Sequence, residues 1–530
     1  MNPDPSELRS KLSQLQTECA GLEPSAATQL EWSRQVAEFA ARFVETLPVT
    51  PAYSLDRGSS VEGFALSDQP RALAELLGQL DERMLRLGLN PASGGHLGYI
   101  PGGGVVPSAL GDFLAAVTNQ YAGVFFAGPG AVRMENDLIR WLCQLVGFPE
   151  SALGNLASGG SIANLIAFVT ARDAQQIDSQ RVRQAVIYLT EQVHHCVHKA
   201  IRIGGLAEAI VRNVPMDSRF RMDADALGEL IAQDLAEGLH PFLVVASAGT
   251  TDTGAIDPLE RIADLCATHG LWLHVDAAYG GFFLLAEDED LEGRSIAQRF
   301  AGISRADSVA IDPHKGLFLS YGLGVVLIRD VAALRRSHYY QANYMQDTIA
   351  ALDEPSPADL SPELTKHFRG LRMWLPLQLF GVAPFRAALQ EKLGLCRLFY
   401  HEIRKRGFEV GPPPELSVCI YRYLPREGDA NEFNRQLVEA VHRDGKVFIS
   451  STTIDGQVWL RLAVLSFRTH LHEIDYLLEF LPRMASELEK TKRSTNNRGD
   501  SFNPVAKTIG GHPAGGNAND RPTGRPISPS

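Results

Sequence analysis

Basic charge, clustered cysteine and long apolar runs are all in short supply in this chain. Its 530 residues carry 50 lysines and arginines against 62 aspartates and glutamates, a formal net charge of -12. General nucleic-acid binding needs a basic footprint over the phosphates, so this balance argues against such a partner. Six cysteines (Cys19, Cys143, Cys196, Cys266, Cys396 and Cys419) lie far apart, and no Cys-x-x-Cys pair exists. Neither a zinc or other metal site nor a disulfide framework is therefore expected. No uninterrupted apolar run approaches the roughly 20 residues of a spanning helix. The start, Met1-Asn2-Pro3-Asp4-Pro5-Ser6-Glu7, has neither the basic opening nor the apolar stretch of a signal peptide. The expectation is a soluble cytoplasmic protein with reduced thiols, bound to no membrane. No fixed-period repeat is visible.

What is present is an ordinary apolar content, 45%, in a chain long enough for two or three domains. Residues 28–46 and 69–87 place apolar side chains at helical spacing, as in Leu73, Leu76, Leu77, Leu80, Met84 and Leu87. They predict an N-terminal helical segment, 1–95. A glycine-rich loop, Ser93 to Gly104, comes next. From about 107 to 330, within a large domain expected over 96–374, helical patterns alternate with short apolar runs: Ala185–Leu189, Ala209–Val214, Phe242–Ser247, Leu271–Val275, Ser308–Ile311 and Gly324–Ile328. Such alternation predicts an α/β domain with a mostly parallel sheet wrapped by helices. Ligands of these sheets sit beyond the C-terminal ends of the strands. Residues 375–490 predict a smaller α+β domain, with a helix over 383–406, strands at Ser417–Tyr423, Val447–Ser451 and Val458–Leu465, and a helix over 471–489. The stretch 491–530, rich in Asn, Gly, Pro, Ser and Arg, predicts a disordered tail.

The chemistry gathers just after the predicted strands. One ends in Val275-Asp276-Ala277-Ala278-Tyr279, another in Ile311-Asp312-Pro313-His314-Lys315, and Thr250 and Thr251 come after a third. A lysine that forms an imine, an Asp that holds a proton on a ring nitrogen and a His beside a phosphate are the kit an aldehyde cofactor of that description needs. That cofactor is pyridoxal 5'-phosphate. Alone, Lys315 reads as a surface lysine and Asp276 as a helix cap. Together they read as a site. Ser158-Gly159-Gly160-Ser161 opens a helical pattern, where glycines let the backbone approach an anion and helix N–H groups are free. In Gln192-Val193-His194-His195-Cys196-Val197-His198, adjacent residues do not share a helix face, which argues against a metal cluster. His194 reads as a ring stacked on the cofactor, and His195 and His198 as ordinary helix residues. Tyr344 precedes a loop-like stretch and can donate a proton once a loop closes.

These segments, in this order over about 91–485, resemble the group II pyridoxal-phosphate-dependent amino-acid decarboxylases (aromatic-L-amino-acid, glutamate and histidine decarboxylase-like). The resemblance also includes Tyr99-Ile100-Pro101, Ala248-Gly249-Thr250-Thr251, Phe368-Arg369-Gly370-Leu371-Arg372-Met373-Trp374 and Trp459-Leu460-Arg461-Leu462. It implies the aspartate aminotransferase-like fold (PLP fold type I), a homodimer, and decarboxylation of an L-amino acid, an aromatic one being the candidate, to its amine and CO2. It further implies Lys315 as the Schiff-base lysine, Asp276 as the ring-nitrogen partner and His194 as the stacking ring. Gly160, Ser161 and His314 correspond to phosphate contacts, Thr251 lies near the cofactor, and Ala278 lies under the ring. Tyr344 corresponds to the proton donor to Cα. Tyr99, Ile100 and Pro101 match the substrate pocket, and Arg461 an arginine that meets the substrate carboxylate. Departures stand at Asp312, where many relatives carry Asn, at Gly316, at His367, and in the bare Gly102-Gly103-Gly104 run. The alternatives are another reaction of the same cofactor (transamination, aldehyde-forming deamination or carbon–carbon lysis) and a non-catalytic scaffold. Tyr344 argues against the first, and joint retention of Lys315, Asp276 and His194 against the second.

Overall fold

The computed structural model describes residues 4–58, 64–340 and 354–499, with 492–499 as backbone only. By its contacts the chain forms two units, Met1–Ala485 and Ser486–Ser530, and both sheets lie in the first.

Seven strands make the large sheet: β1 (Leu153–Ala157), β2 (Ala185–Leu189), β3 (Ile210–Asn213), β4 (His240–Ser247), β5 (Trp272–Asp276), β6 (Ser308–Ile311) and β7 (Gly324–Ile328). Their spatial order is β1-β7-β6-β5-β4-β2-β3. β3, β2, β4, β5 and β6 pair in parallel, whereas β7 runs antiparallel to both β6 and β1. Every residue of β1, β2, β6 and β7 is buried, as expected where both faces of a sheet are covered. The smaller sheet contains β8 (Glu409–Val410), β9 (Val418–Arg422), β10 (Ser450–Ile454) and β11 (Gln457–Ala463), all antiparallel in the order β10-β11-β9-β8. This is the predicted architecture, a large α/β domain and then a smaller α+β one.

Three departures stand out, and the first two have local causes. β1 carries Gly154 and Asn155 and has no strand signature. A Cβ at Gly154 would fall 1.8 Å from the Val326 carbonyl oxygen, so close pairing with β7 rather than propensity makes it a strand. The strand expected at 447–451 begins instead at Ser450. The apolar residues before it are diverted into bonds with the glycine-rich loop: Phe448 N donates to Gly95 O, and Leu97 N to Phe448 O. The final helix, Leu471–Gly499, runs past the expected end at 489 and into the stretch read as disordered tail.

The parallel strands bring three loops to one edge of the sheet. β4, β5 and β6 end side by side, with Ser247 paired to Asp276 and Asp276 to Ala310. The loops leaving these ends carry Gly249–Thr251, Ala277–Tyr279 and Asp312–Lys315. Tertiary pairing thus brings together residues up to 66 positions apart in the sequence.

Candidate active site

A cavity of ≈ 520 Å³ opens at these strand ends. Gly160, Ser161, His194, Thr251, Asp276, Ala278, His314 and Lys315 all line it. Ser158 and Thr250, from the expected turn and strand end, line it as well, as do Gln192, Cys196, Asp312 and Tyr321, to which the sequence alone gave no role. Tyr344 lies outside the described residues.

At its centre, Lys315 Nζ is 2.8 Å from Asp312 Oδ2. Burial pushes the amine down, but Asp312 and Asp276 outweigh it and the net displacement is upward. Burial raises the Asp276 carboxyl, while Lys315, the Ala278 N–H and Asn164 act against it. Asp276 Oδ1 accepts from Ala278 N at 3.0 Å, and Oδ2 from Asn164 Nδ2 at 3.4 Å. Asp312 is 1% exposed, and its Oδ1 has no hydrogen-bond partner. It occupies the space left by two glycines: a Cβ at Gly160 would come 2.9 Å from Oδ2, and one at Gly324 2.7 Å from Oδ1. The helix Gly160–Ala174 has no side-chain cap, so its first N–H groups and the positive end of its dipole are directed to the cavity. His314 Nδ1 donates to Leu323 O at 2.5 Å.

His194 accepts from Cys196 N through Nδ1 at 3.3 Å, and burial holds its ring down to about 4. Burial similarly lowers His96 to about 4 and His274 to about 3. An unfolded histidine titrates near ~6.5. Below that pH the unfolded chain binds protons the folded chain refuses, so this stability is full above about 6.5 and is lost as pH falls toward 4. Asp257, raised by burial to about 6, acts oppositely, as do the raised Asp276, Asp307 and Asp359, but burial lowers His314, His338 and His367 too, so the histidines outnumber the carboxyls. The cofactor-free protein should therefore show a lower denaturant midpoint at pH 5 than at pH 7. An equal or higher midpoint at pH 5 would contradict the burial of these rings.

A family model, the pyridoxal-dependent decarboxylase conserved domain, matches residues 64–423, more than half of the chain. The chain belongs to the pyridoxal-dependent decarboxylase family. It is 34% identical over 398 residues to an aromatic-L-amino-acid decarboxylase of Bacillus atrophaeus, covering 74% of this chain and 81% of the relative. An L-2,4-diaminobutyrate decarboxylase of Rhizobium meliloti (strain 1021) is 31% identical over 423 residues, covering 79% and 82%. Among solved structures, Oryza sativa TDC with PLP and tryptamine superposes with a TM-score of 0.82 at 23% identity, covering 88% of this chain and 99% of that one. Mouse CSAD superposes at 0.78 with 26% identity, covering 87% and 99%. This decarboxylase is thus an enzyme that uses pyridoxal phosphate to release CO2 from an L-amino acid, on fold type I.

The residues present fit that cofactor. The uncapped helix start with Gly160 and Ser161 suits a phosphate, Lys315 suits the aldehyde, and the buried Asp276 suits a ring nitrogen.

Not all sequence expectations converge on the cavity. Tyr99, Ile100, Pro101 and Arg461 do not line it within one chain. Tyr99 is 57% exposed, at φ +52°. Arg461 is 3% exposed, and its guanidinium is committed to protein acceptors. Nε donates to Asp252 O at 2.9 Å, Nη1 to Ser450 Oγ at 2.7 Å, and Nη2 to Thr251 O and to Tyr99 O. Within one chain Arg461 thereby ties the Thr251 loop and Tyr99 to β10. The bare glycines have a steric cause. A Cβ at Gly102 would sit 2.1 Å from His314 O, so this backbone lies directly on the His314–Lys315 turn.

Proposed function

We propose that the decarboxylase acts on an aromatic L-amino acid and yields the amine. The single observation that carries the site assignment is the convergence of Lys315, Asp276, His194 and the Gly160–Ser161 helix start on one cavity. In this reading Lys315 is the attachment point, Asp276 holds the proton on the ring nitrogen, and His194 stands against the ring with Ala278 opposite. Gly160, Ser161 and His314 hold the phosphate, and Thr251 braces the ring edge. When bound, the cofactor supplies an electron sink for the pair left at Cα as CO2 departs. Tyr344 then returns a proton to Cα, and Tyr99, Ile100 and Pro101 shape the entrance for the substrate side chain. The aromatic preference is supported by the Bacillus relative and by the Tyr99-Ile100-Pro101 segment.

Two copies are proposed to assemble in the cytoplasm. The helix Val106–Thr118 turns its small residues Ser108, Gly111 and Ala115 inward against the helix Gly370–Phe380. Its large ones, Val106, Leu110, Phe113, Leu114 and Val117, are between 43% and 66% exposed. A stripe of that kind calls for a covering surface, and a second copy supplies one. Among the described residues no helix is long and apolar enough to cross a membrane.

The test is CO2 release from tryptophan, tyrosine, phenylalanine, 2,4-diaminobutyrate and glutamate, with amine and aldehyde products separated. Selective turnover of 2,4-diaminobutyrate would overturn the aromatic assignment. Tyr344→Phe should lower amine formation by about 10²–10⁴-fold, the contribution of a positioned proton donor, while cofactor binding is retained. Unchanged amine output would remove Tyr344 from the reaction.

A further inference from the structure

Side chains on a strand alternate between faces, so Trp272, His274 and Asp276 share one face of β5. The parallel register with β6 sets Ser308 beside His274, and the helix Gly160–Ala174 lays Asn164 and Phe168 over them. The Phe168 ring meets the His274 ring edge-on, with centroids 5.6 Å apart. Asn164, His274 and Ser308 are each 0% exposed.

The polar atoms of this group form one chain. Trp272 Nε1 is 2.8 Å from Ser308 Oγ, Ser308 Oγ 2.8 Å from His274 Nδ1, and His274 Nε2 2.6 Å from Asn164 Oδ1. Asn164 Nδ2 reaches Asp276 Oδ2 at 3.4 Å. Its direction can be assigned from one end. Asn164 Nδ2 also lies 2.8 Å from Gly160 O, which only accepts. The amide is thereby oriented, Oδ1 must accept, and His274 Nε2 carries the proton. Burial keeps His274 neutral, so Nδ1 is bare and accepts from the Ser308 hydroxyl. Ser308 in turn accepts from the Trp272 N–H, which can only donate. Every donor points toward Asp276.

We infer that Trp272, Ser308, His274 and Asn164 are positioning residues, a one-way donor chain that, together with the Gly160 carbonyl on the amide nitrogen, locks Asn164 so that it offers Asp276 only N–H. A flipped amide would turn its oxygen toward the carboxylate. Asp276 would then bind a proton more tightly and compete with the ring nitrogen for it. The other titratable groups acting on Asp276 are Lys315 and Asp312, with the Cys196 thiol beside it. None of them fixes the amide. The inference rests on the proposed role of Asp276 as the ring-nitrogen partner.

The test uses holoenzyme loaded with pyridoxal phosphate labelled with ¹⁵N in the ring, observed by NMR across pH. Wild type should show a protonated ring nitrogen, and Asp276→Asn a neutral one. His274→Phe and Asn164→Leu should keep the cofactor but move the ring titration at least one pH unit lower, a tenfold loss of proton affinity. His274→Gln, which keeps an N–H near the Nε2 position, should recover most of the shift. Ser308→Ala removes one hydroxyl and should shift the titration the same way by less; it carries the test if His274→Phe fails to fold. Wild-type titration in Ser308→Ala and Asn164→Leu, with Asp276→Asn neutral, would reduce the chain to core packing. A protonated ring in Asp276→Asn would instead overturn the role of Asp276.

Discussion

Lys315→Ala is expected to abolish covalent attachment of the cofactor, with its visible absorbance, and to lower CO2 release by about 10³–10⁴-fold, the upper part of the range for a positioned proton-transferring group. The lysine is asked both to bond the aldehyde and to accept a proton at Nζ. The alanine variant also strands Asp312, whose side chain is 2% exposed and whose Oδ2 is held by Lys315 at 2.8 Å. A buried carboxylate without its partner destabilises the fold, so loss of activity alone would be ambiguous. Lys315→Arg separates the effects. It keeps a cation beside Asp312 but forms no imine, and should restore the unfolding midpoint without restoring the absorbance or CO2 release. Retention of the absorbance in either variant would place the attachment elsewhere.

Lys366→Met should have the largest effect on stability, about 3–5 kcal/mol, the cost of removing one partner of a buried ion pair. Lys366 Nζ lies 2.7 Å from Glu135 Oε1, and both side chains are 0% exposed. It also donates to Asn155 Oδ1 at 2.9 Å and Leu156 O at 3.0 Å. The lysine therefore holds β1 just before that strand enters the Ser158–Gly160 turn at the cavity. Lys366→Met should loosen that turn and weaken cofactor binding together with stability. Replacing both charges, as Lys366→Met with Glu135→Leu, removes the stranded carboxylate and should recover much of the loss, since an apolar pair of similar volume is often no worse than a buried ion pair. Denaturant unfolding of the two variants checks this. Equal losses in single and double variants would mean that Lys366 acts through its backbone and Asn155 contacts alone.

The parallel strands were legible because each is a short apolar run bounded by turns, and all of them finish within a residue of the expected C-terminal end. The strand ends carry the site residues, so the cavity was legible with them. β1 was not: Gly154 and Asn155 are poor strand formers, and it is backbone pairing with β7 that makes them a strand. The bonds of Arg461 to Asp252, Thr251, Tyr99 and Ser450 were not legible, because a motif does not show where a guanidinium spends its donors. His274 stands one residue before the Val275–Tyr279 motif and Asn164 three residues after Ser161, and the sequence assigned neither a task. The Trp-x-His-x-Asp alternation was the available signal, and it became meaningful only when the β6 register placed Ser308 at its side.

By itself, the sequence determined the class of chemistry and the kind of scaffold. Imine-forming lysine, carboxylate and small-residue helix start are chemical types that residue identity specifies, and apolar periodicity specifies the elements. Tertiary structure alone decided which distant groups face one another: that Gly102 lies on the His314 carbonyl, that Lys366 is sealed against Glu135, and that the donors behind Asp276 all point one way. Hydrogen bonds and buried charge depend on separations of a few ångströms between residues far apart in the chain, and these are fixed only when sheet register and helix packing are formed together.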